Sequence, residues 1–405
     1  MPNYSRQGPT PWLPILLEAG LALLGFWTLW GFPYRNGLLA LLKAQAEAGA
    51  LIPGPTVASM RQIYTGIKPI DNQLTVLVSF FYTAIDGNRG DVSLSFFGLG
   101  GQVLASWVLI TVEGLRAGND GKWFLTATTL FGLAVAIVGF ACVAPLYFAL
   151  HLYFSPTAVN PQPFTLLTAS PLQITLAPFA ILIGFGLPSL IMALPAPTIL
   201  TFSTKQLWTG IQQGWPLWIA ISQIVLTVLV SPGDTSAFII PSNEIAAKTL
   251  KRLRSVYLFA LFFGIGAHLI PLFFGALAQL FPVLFAPPYN AQFLPSHFLI
   301  PVNPFGDYQA GTLADGALPF LQWDTIVGVI SVALWGLSLR TLAKHENATS
   351  RRVVSNAIKL AILALIIGPA GAAVVAVWAR DELVLRGTDR QESPSGAPSN
   401  KVKEY

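Results

Sequence analysis

The sequence predicts an all-α fold: a polytopic transmembrane helical bundle of about eight to nine spans. Three observations carry this. Hydrophobic residues make up 54 % of the 405 and charged residues only 10 %, where a soluble chain carries about 25 % charge. Mean hydropathy is +0.62. Apolar runs close to the ~20 residues needed to cross a bilayer recur along the chain.

The spans follow in order. The run 12–30 is broken once by Glu18 and is too long, with too few basic residues ahead of it, for a cleaved signal peptide. After a Pro/Gly-punctuated stretch, 71–86 spans if its helix begins at Asp71 and ends at Asp86-Gly87. The run 94–113 closes on Glu113 and Arg116, and 123–154 is long enough to tilt or bend at Pro145. Then come 172–194, 207–230, 256–285, 325–342 and 357–378, all one domain (1–380), with a polar disordered tail at 381–405.

Several classes are excluded. Cys142 is the sole cysteine, which rules out a disulfide scaffold. The net charge of +5 comes from residues such as Lys248, Lys251, Arg252 and Arg254 at segment ends. That is membrane-flank charge and no footprint for nucleic acid. No P-loop, GxGxxG, CxxC, HExxH or aspartate-rich diphosphate motif occurs, and the four histidines lack metal-ligand spacing. No cofactor and no metal is expected, since Mg²⁺ on a diphosphate needs several carboxylates together.

Orientation follows the basic loops. The loops after the sixth and eighth spans are basic, and 340–359 holds five Lys or Arg against none in 286–322. The basic loops are therefore expected to be cytosolic and 286–322 lumenal. Counting back puts the N-terminus in the cytosol. Lys43, Arg61 and Lys68 then fall on the lumenal side, against the rule. The sequons at Asn3 and Asn347 face the cytosol.

Carboxylates at membrane depth are expensive and so are candidates for function. The topology puts Glu18, Asp86, His151 and Asp234 toward one face, and Asp71, Glu113, Arg116, Asn119 and Asp324 toward the other. Asp86 and Glu113 then lie ~28 Å apart. Each also has a plainer reading. Glu113 and Arg116 can pair at i, i+3. Asp71 can cap a helix, and Asp86-Gly87 can stop one. His268 can be a bonded packing residue.

Three stretches resemble a known family: 71–87 (DNQLTVLVSFFYTAIDG), Gln102 followed by 113–119 (EGLRAGN), and 145–151 (PLYFALH) followed by Ser155-Pro156-Thr157. They are similar to the fungal integral-membrane terpene cyclases of the ascofuranone-biosynthesis family, closely over 60–160 and elsewhere by hydropathy. The resemblance implies acid-initiated cyclisation of a prenylated or farnesylated substrate, often a terminal epoxide, in secondary metabolism. It implies a lipophilic terpenoid partner, a bilayer setting and a multi-pass place in the endoplasmic reticulum membrane. Glu113, Asp71 and Asp86 are the expected catalytic acids. Arg116, Asn119, His151 and, by membrane level, Asp324 are expected to bind substrate. A neutral carboxylic acid in a dry aromatic pocket suits that chemistry. The competing classes are a proton-coupled transporter, which needs a polar path to both faces, and a scaffold without chemistry.

Overall fold

A computed structural model describes residues 8–49, 59–168, 170–231, 243–343 and 350–386. Among these the chain is helical, with a single isolated bridge between Arg116 and Thr168. The principal helices are α1 (Trp12–Phe26), α2 (Leu38–Ala48), α3 (Lys68–Ile85), α4 (Gly90–Gly114), α5 (Thr128–Val138), α6 (Phe140–Phe154) and α7 (Pro171–Ile181, continued to Ala193 through a π turn). They continue with α8 (Phe202–Gln213), α9 (Trp215–Val230), α10 (Asn243–Leu280), α11 (Leu313–Leu342), α12 (Ser350–Ile367) and α13 (Pro369–Leu385).

Among the described residues five helices are long and apolar enough to cross a membrane: Trp12–Arg35, Gly90–Gly114, Pro171–Ala193, Glu244–Leu280 and Leu313–Leu342. A sixth is added if α8 and α9, bent by 73°, count as one. The expected eight to nine are not reached, for two local reasons. α3 has 18 residues but a polar start and polar steps at Thr75, Ser79 and Thr83. The runs 123–154 and 357–378 are each broken by a glycine in the left-handed region, Gly139 at φ +107° and Gly368 at φ +82°.

The Gly139 break reverses the chain. α5 and α6, of 11 and 15 residues, are ~17 and ~22 Å long, each short of the ~30 Å apolar core. They pack antiparallel: the Phe131 and Tyr147 rings are 4.9 Å apart and those of Phe124 and Phe154 5.0 Å. Asp324 of α11 holds the turn by accepting the Ala141 amide at 2.7 Å. At the Gly368 break, buried Gln102 accepts the Ala370 amide at 3.0 Å and donates to the Gly264 carbonyl at 2.9 Å, tying α4, α10 and α13 together.

The outer surface is apolar and the polar side chains face inward. α1 buries Glu18, Ala22 and Gly25 and turns Leu13, Leu16, Leu17 and Leu23 outward. Phe262, Leu229 and Leu365 are likewise exposed. This inside-out pattern is compatible with a membrane protein.

Two expectations change. His151 was placed opposite Glu113; the reversal at Gly139 returns it to the Glu113 end, and it bonds Glu113. Glu113 was placed opposite the basic loops. Yet its partner Arg116 meets Tyr257 of α10, one turn beyond Arg254 and on the same helix as Lys248, Lys251 and Arg252. Removing α3 from the crossings turns α4 around in the count. The first residues of the expected tail, 381–385, are helical instead: α13 runs on to Leu385, and Arg380 and Asp381 are fully buried. Residues 387–405, both sequons and Asp234 lie outside the described residues.

Candidate active site

The ends of α4, α6, α11 and α13 converge with Tyr257 of α10 on a buried charge cluster. Glu113 is the penultimate residue of α4. Its Oε1 accepts Arg380 at 2.6 Å and Arg116 at 3.3 Å. Its Oε2 accepts the Thr157 hydroxyl at 2.7 Å and faces His151 Nε2 at 3.1 Å. Asp381 completes the set, accepting Arg380 at 2.8 Å, the Tyr257 hydroxyl at 2.6 Å and Arg116. Two guanidiniums thus balance two carboxylates, and all four side chains are fully buried. Removing one partner from such a set typically costs ~3–5 kcal/mol, because it strands a buried charge.

Hydrogen bonds fix the surroundings. Trp335 Nε1 donates to His151 Nδ1 at 3.2 Å, which leaves the imidazole proton on Nε2, toward Glu113. Asn119 caps the end of α4, donating to the Glu113 carbonyl at 2.8 Å and accepting the Ser155 hydroxyl at 2.6 Å. Arg116 also donates to the Leu166 carbonyl at 2.5 Å. Toward the bundle interior stand aromatic faces: Phe148 stacks on Trp335 at 4.5 Å, and Tyr147 and Trp335 flank His151 at 6.2 and 5.4 Å.

Of the residues expected from sequence, Glu113, Arg116, Asn119 and His151 come together. Asp71, Asp86 and Asp324 do not join them. Asp71 is held by the loop ahead of α3, accepting the amides of Thr65 (2.7 Å), Gly66 (3.0 Å) and Tyr64 (3.2 Å) and the Thr65 hydroxyl (2.9 Å). The Thr65 amide foremost keeps this carboxyl below its usual range, so it is a poor proton donor. Asp86 accepts the Asn88 amide and side chain at 2.8 and 2.9 Å. It lies beyond the far end of α4, whose 25 residues extend ~37 Å. Asp324 caps α6, as above. An open cavity of about 710 Å³ lies between α2 and α3, with Leu39, Leu42 and Val76 on its apolar wall and Lys43 and Lys68 among its lining. It shares no residue with the cluster.

Arg380, Asp381, Tyr257, Thr157 and Trp335 were missed from sequence. A signal existed for the first two: an adjacent Arg-Asp pair closing an apolar run repeats the logic of Glu113 and Arg116. Nothing local marks Tyr257 or Trp335.

The CtvD domain model matches residues 14–385, ending on the last residue of α13. Terpene cyclase ascI of Acremonium egyptiacum is 30 % identical over 372 residues, 91 % of each chain. Terpene cyclase ctvD of Aspergillus terreus is 29 % identical over 365 residues, covering 88 % of this chain and 96 % of the relative. Terpene cyclase verU1 of Penicillium polonicum is 24 % identical over 377 residues, covering 93 % and 96 %. No solved structure matches. The fungal relatives above are named terpene cyclases; the buried site, built from both halves of the chain, lies wholly inside the matched region, and the chain belongs to the CtvD domain family.

Proposed function

We propose that this chain is a membrane-embedded terpene cyclase that folds a prenylated or farnesylated substrate by protonating an epoxide or alkene. The observation that carries the reading is family membership across 14–385, with relatives named as terpene cyclases. The net reaction is an isomerisation, or a cyclisation of the lyase type. The setting is the endoplasmic reticulum membrane, within a fungal meroterpenoid pathway.

The cluster around Glu113 suits a supporting role in this chemistry. Every carboxylate oxygen in it is taken by a guanidinium, hydroxyl or imidazole, and Arg116 is bonded through all three of its nitrogens. Glu113 and Asp381 therefore serve as counter-ions, and Arg116 and Arg380 as their clamps. Through His151, which bonds both Glu113 and Trp335, the cluster is tied to the aromatic set of Trp335, Phe148 and Tyr147. Aromatic faces stabilise a passing carbocation by ~0.5–2 kcal/mol each, and water is kept from quenching it.

Starting from a proton needs no diphosphate departure, and the sequence offers no aspartate-rich Mg²⁺ motif. Expression in yeast fed with farnesylated phenols, with and without a terminal epoxide, should give a product of the substrate's own mass, read by mass spectrometry. Turnover in microsomes should survive EDTA. Loss of product in EDTA with recovery on Mg²⁺ would overturn the proton-initiated mechanism. A substrate moved across sealed vesicles without chemical change would favour transport.

A further inference from the structure

We propose that Glu18 is the proton donor of this cyclisation; the assignment rests on the cyclase reading above. Glu18 lies on the buried face of α1 with Ala22 and Gly25 and is 0 % exposed. Its Oε2 accepts the Ser331 hydroxyl at 2.5 Å. Its Oε1 has no partner, alone among buried carboxylate oxygens of the described residues. Leaving a buried acceptor unpaired is destabilising, which marks this oxygen as one with a use.

Among the described residues the partners separate Glu18 from every other buried carboxyl, Asp71 with its four loop donors included. Glu113 and Asp381 each meet two guanidiniums, Asp91 is clasped by Arg89 at 2.9 and 3.0 Å, and Asp324 takes a backbone amide. Glu18 has one neutral hydroxyl. With that hydroxyl on Oε2, Oε1 is the atom that carries the transferable proton. The one partner of Glu18, Ser331, shares α11 with Trp335. Ser331 is one helical turn from Trp335 on α11, ~6 Å along the axis, and Trp335 stacks on Phe148 and bonds His151.

The step balances. The proton leaves Glu18 Oε1 for the epoxide oxygen, and the C–O bond breaks with its electron pair going to that oxygen, now a hydroxyl. The neighbouring alkene's π pair closes a C–C bond and passes the positive charge along the chain. The final cation loses a proton, which returns to the carboxylate. With an alkene substrate the first proton goes to carbon and the same cascade follows.

The test uses microsomes holding the full chain and, as probe, a farnesylated phenol with a terminal epoxide. Glu18→Gln keeps the shape and the Ser331 contact and should cut turnover ~10²–10⁴-fold at unchanged melting temperature and near-normal KM. Glu18→Asp, with a shortened reach, should retain part of it. Wild-type turnover by Glu18→Gln sinks the assignment and leaves the cyclase reading intact. A second measurement is independent of turnover. Dicyclohexylcarbodiimide, which attacks protonated carboxyls from apolar surroundings, should tag Glu18 in peptide mass spectra, and the probe should suppress the tag. An untagged Glu18 overturns the assignment. A tagged and protected Glu18 sustains it even where Glu18→Gln fails to accumulate. If wild type leaves the probe unconverted, the cyclase reading fails for epoxides while the tag still decides whether Glu18 is a protonated group at a ligand site.

Discussion

Glu113 and Glu18 are both glutamates on long apolar helices, and both are fully buried. Their surroundings are opposites. Glu113 sits among two arginines, a histidine and a threonine, with an aspartate sharing the arginines. Glu18 has one serine. The difference teaches that burial alone does not select an acid. A charge-balanced carboxylate is part of the framework, because the pairing that makes its burial tolerable also occupies its oxygens. A carboxyl with only a hydroxyl for company keeps one oxygen for chemistry.

The sharpest way to break this comparison is to make Glu113 resemble Glu18. Arg380→Met leaves Glu113 and Asp381 with Arg116 as their one guanidinium and should cost ~3–5 kcal/mol, read as a lowered melting temperature and poor accumulation in detergent. Glu113→Gln errs in the other direction and should lose both stability and product. The double variant should recover part of the stability. A melting temperature unmoved by Arg380→Met would show that the cluster is not tightly coupled.

A smaller effect is expected at the turn that delivers His151. Gly139 has φ +107°, and a Cβ there would stand 2.4 Å from the Leu29 side chain. Gly139→Ala should cost ~1–3 kcal/mol and weaken the α5–α6 hairpin, detectable as faster proteolysis between 127 and 155. Equal proteolysis of the two proteins would count against a strained turn.

The smallest change sharpens the comparison without breaking it. Trp335→Phe removes the donor to His151 Nδ1 and keeps a ring on Phe148. Stability should fall by ~1 kcal/mol and turnover severalfold, with KM held. A variant indistinguishable in both would assign the indole N–H no role in orienting His151.

Much of the fold was legible where one helix carries its own signal. The run 94–113 lies within α4, and the i, i+3 pairing of Glu113 and Arg116 is real. What escaped depends on distant partners or on backbone conformation. The ion pairs joining Arg116 to Asp381 and Arg380 to Glu113 span 265 and 267 residues, and no pattern in either segment announces the other. Gly139 inside an apolar run reads as an ordinary helical glycine. Only its left-handed φ makes it a reversal, and that reversal decides where His151 goes. Asp71 and Asp86 each read as a helix-terminus residue or an acid, and what decides is the local loop conformation that turns the amides of Tyr64, Thr65 and Gly66 onto Asp71 and that of Asn88 onto Asp86.

The distance in sequence between the halves of the charge cluster also sets an order of events during synthesis. At 5–20 residues per second, Arg380 and Asp381 leave the ribosome roughly 10–50 s after Glu113 and Arg116, given their separation of 265 to 267 residues. During that interval the bundle holds an ion pair short of half its counter-charges. α13 is thus the clasp of the assembly. Damage to it would reach the cell first as a chain detained by membrane quality control, before any question of catalysis arises.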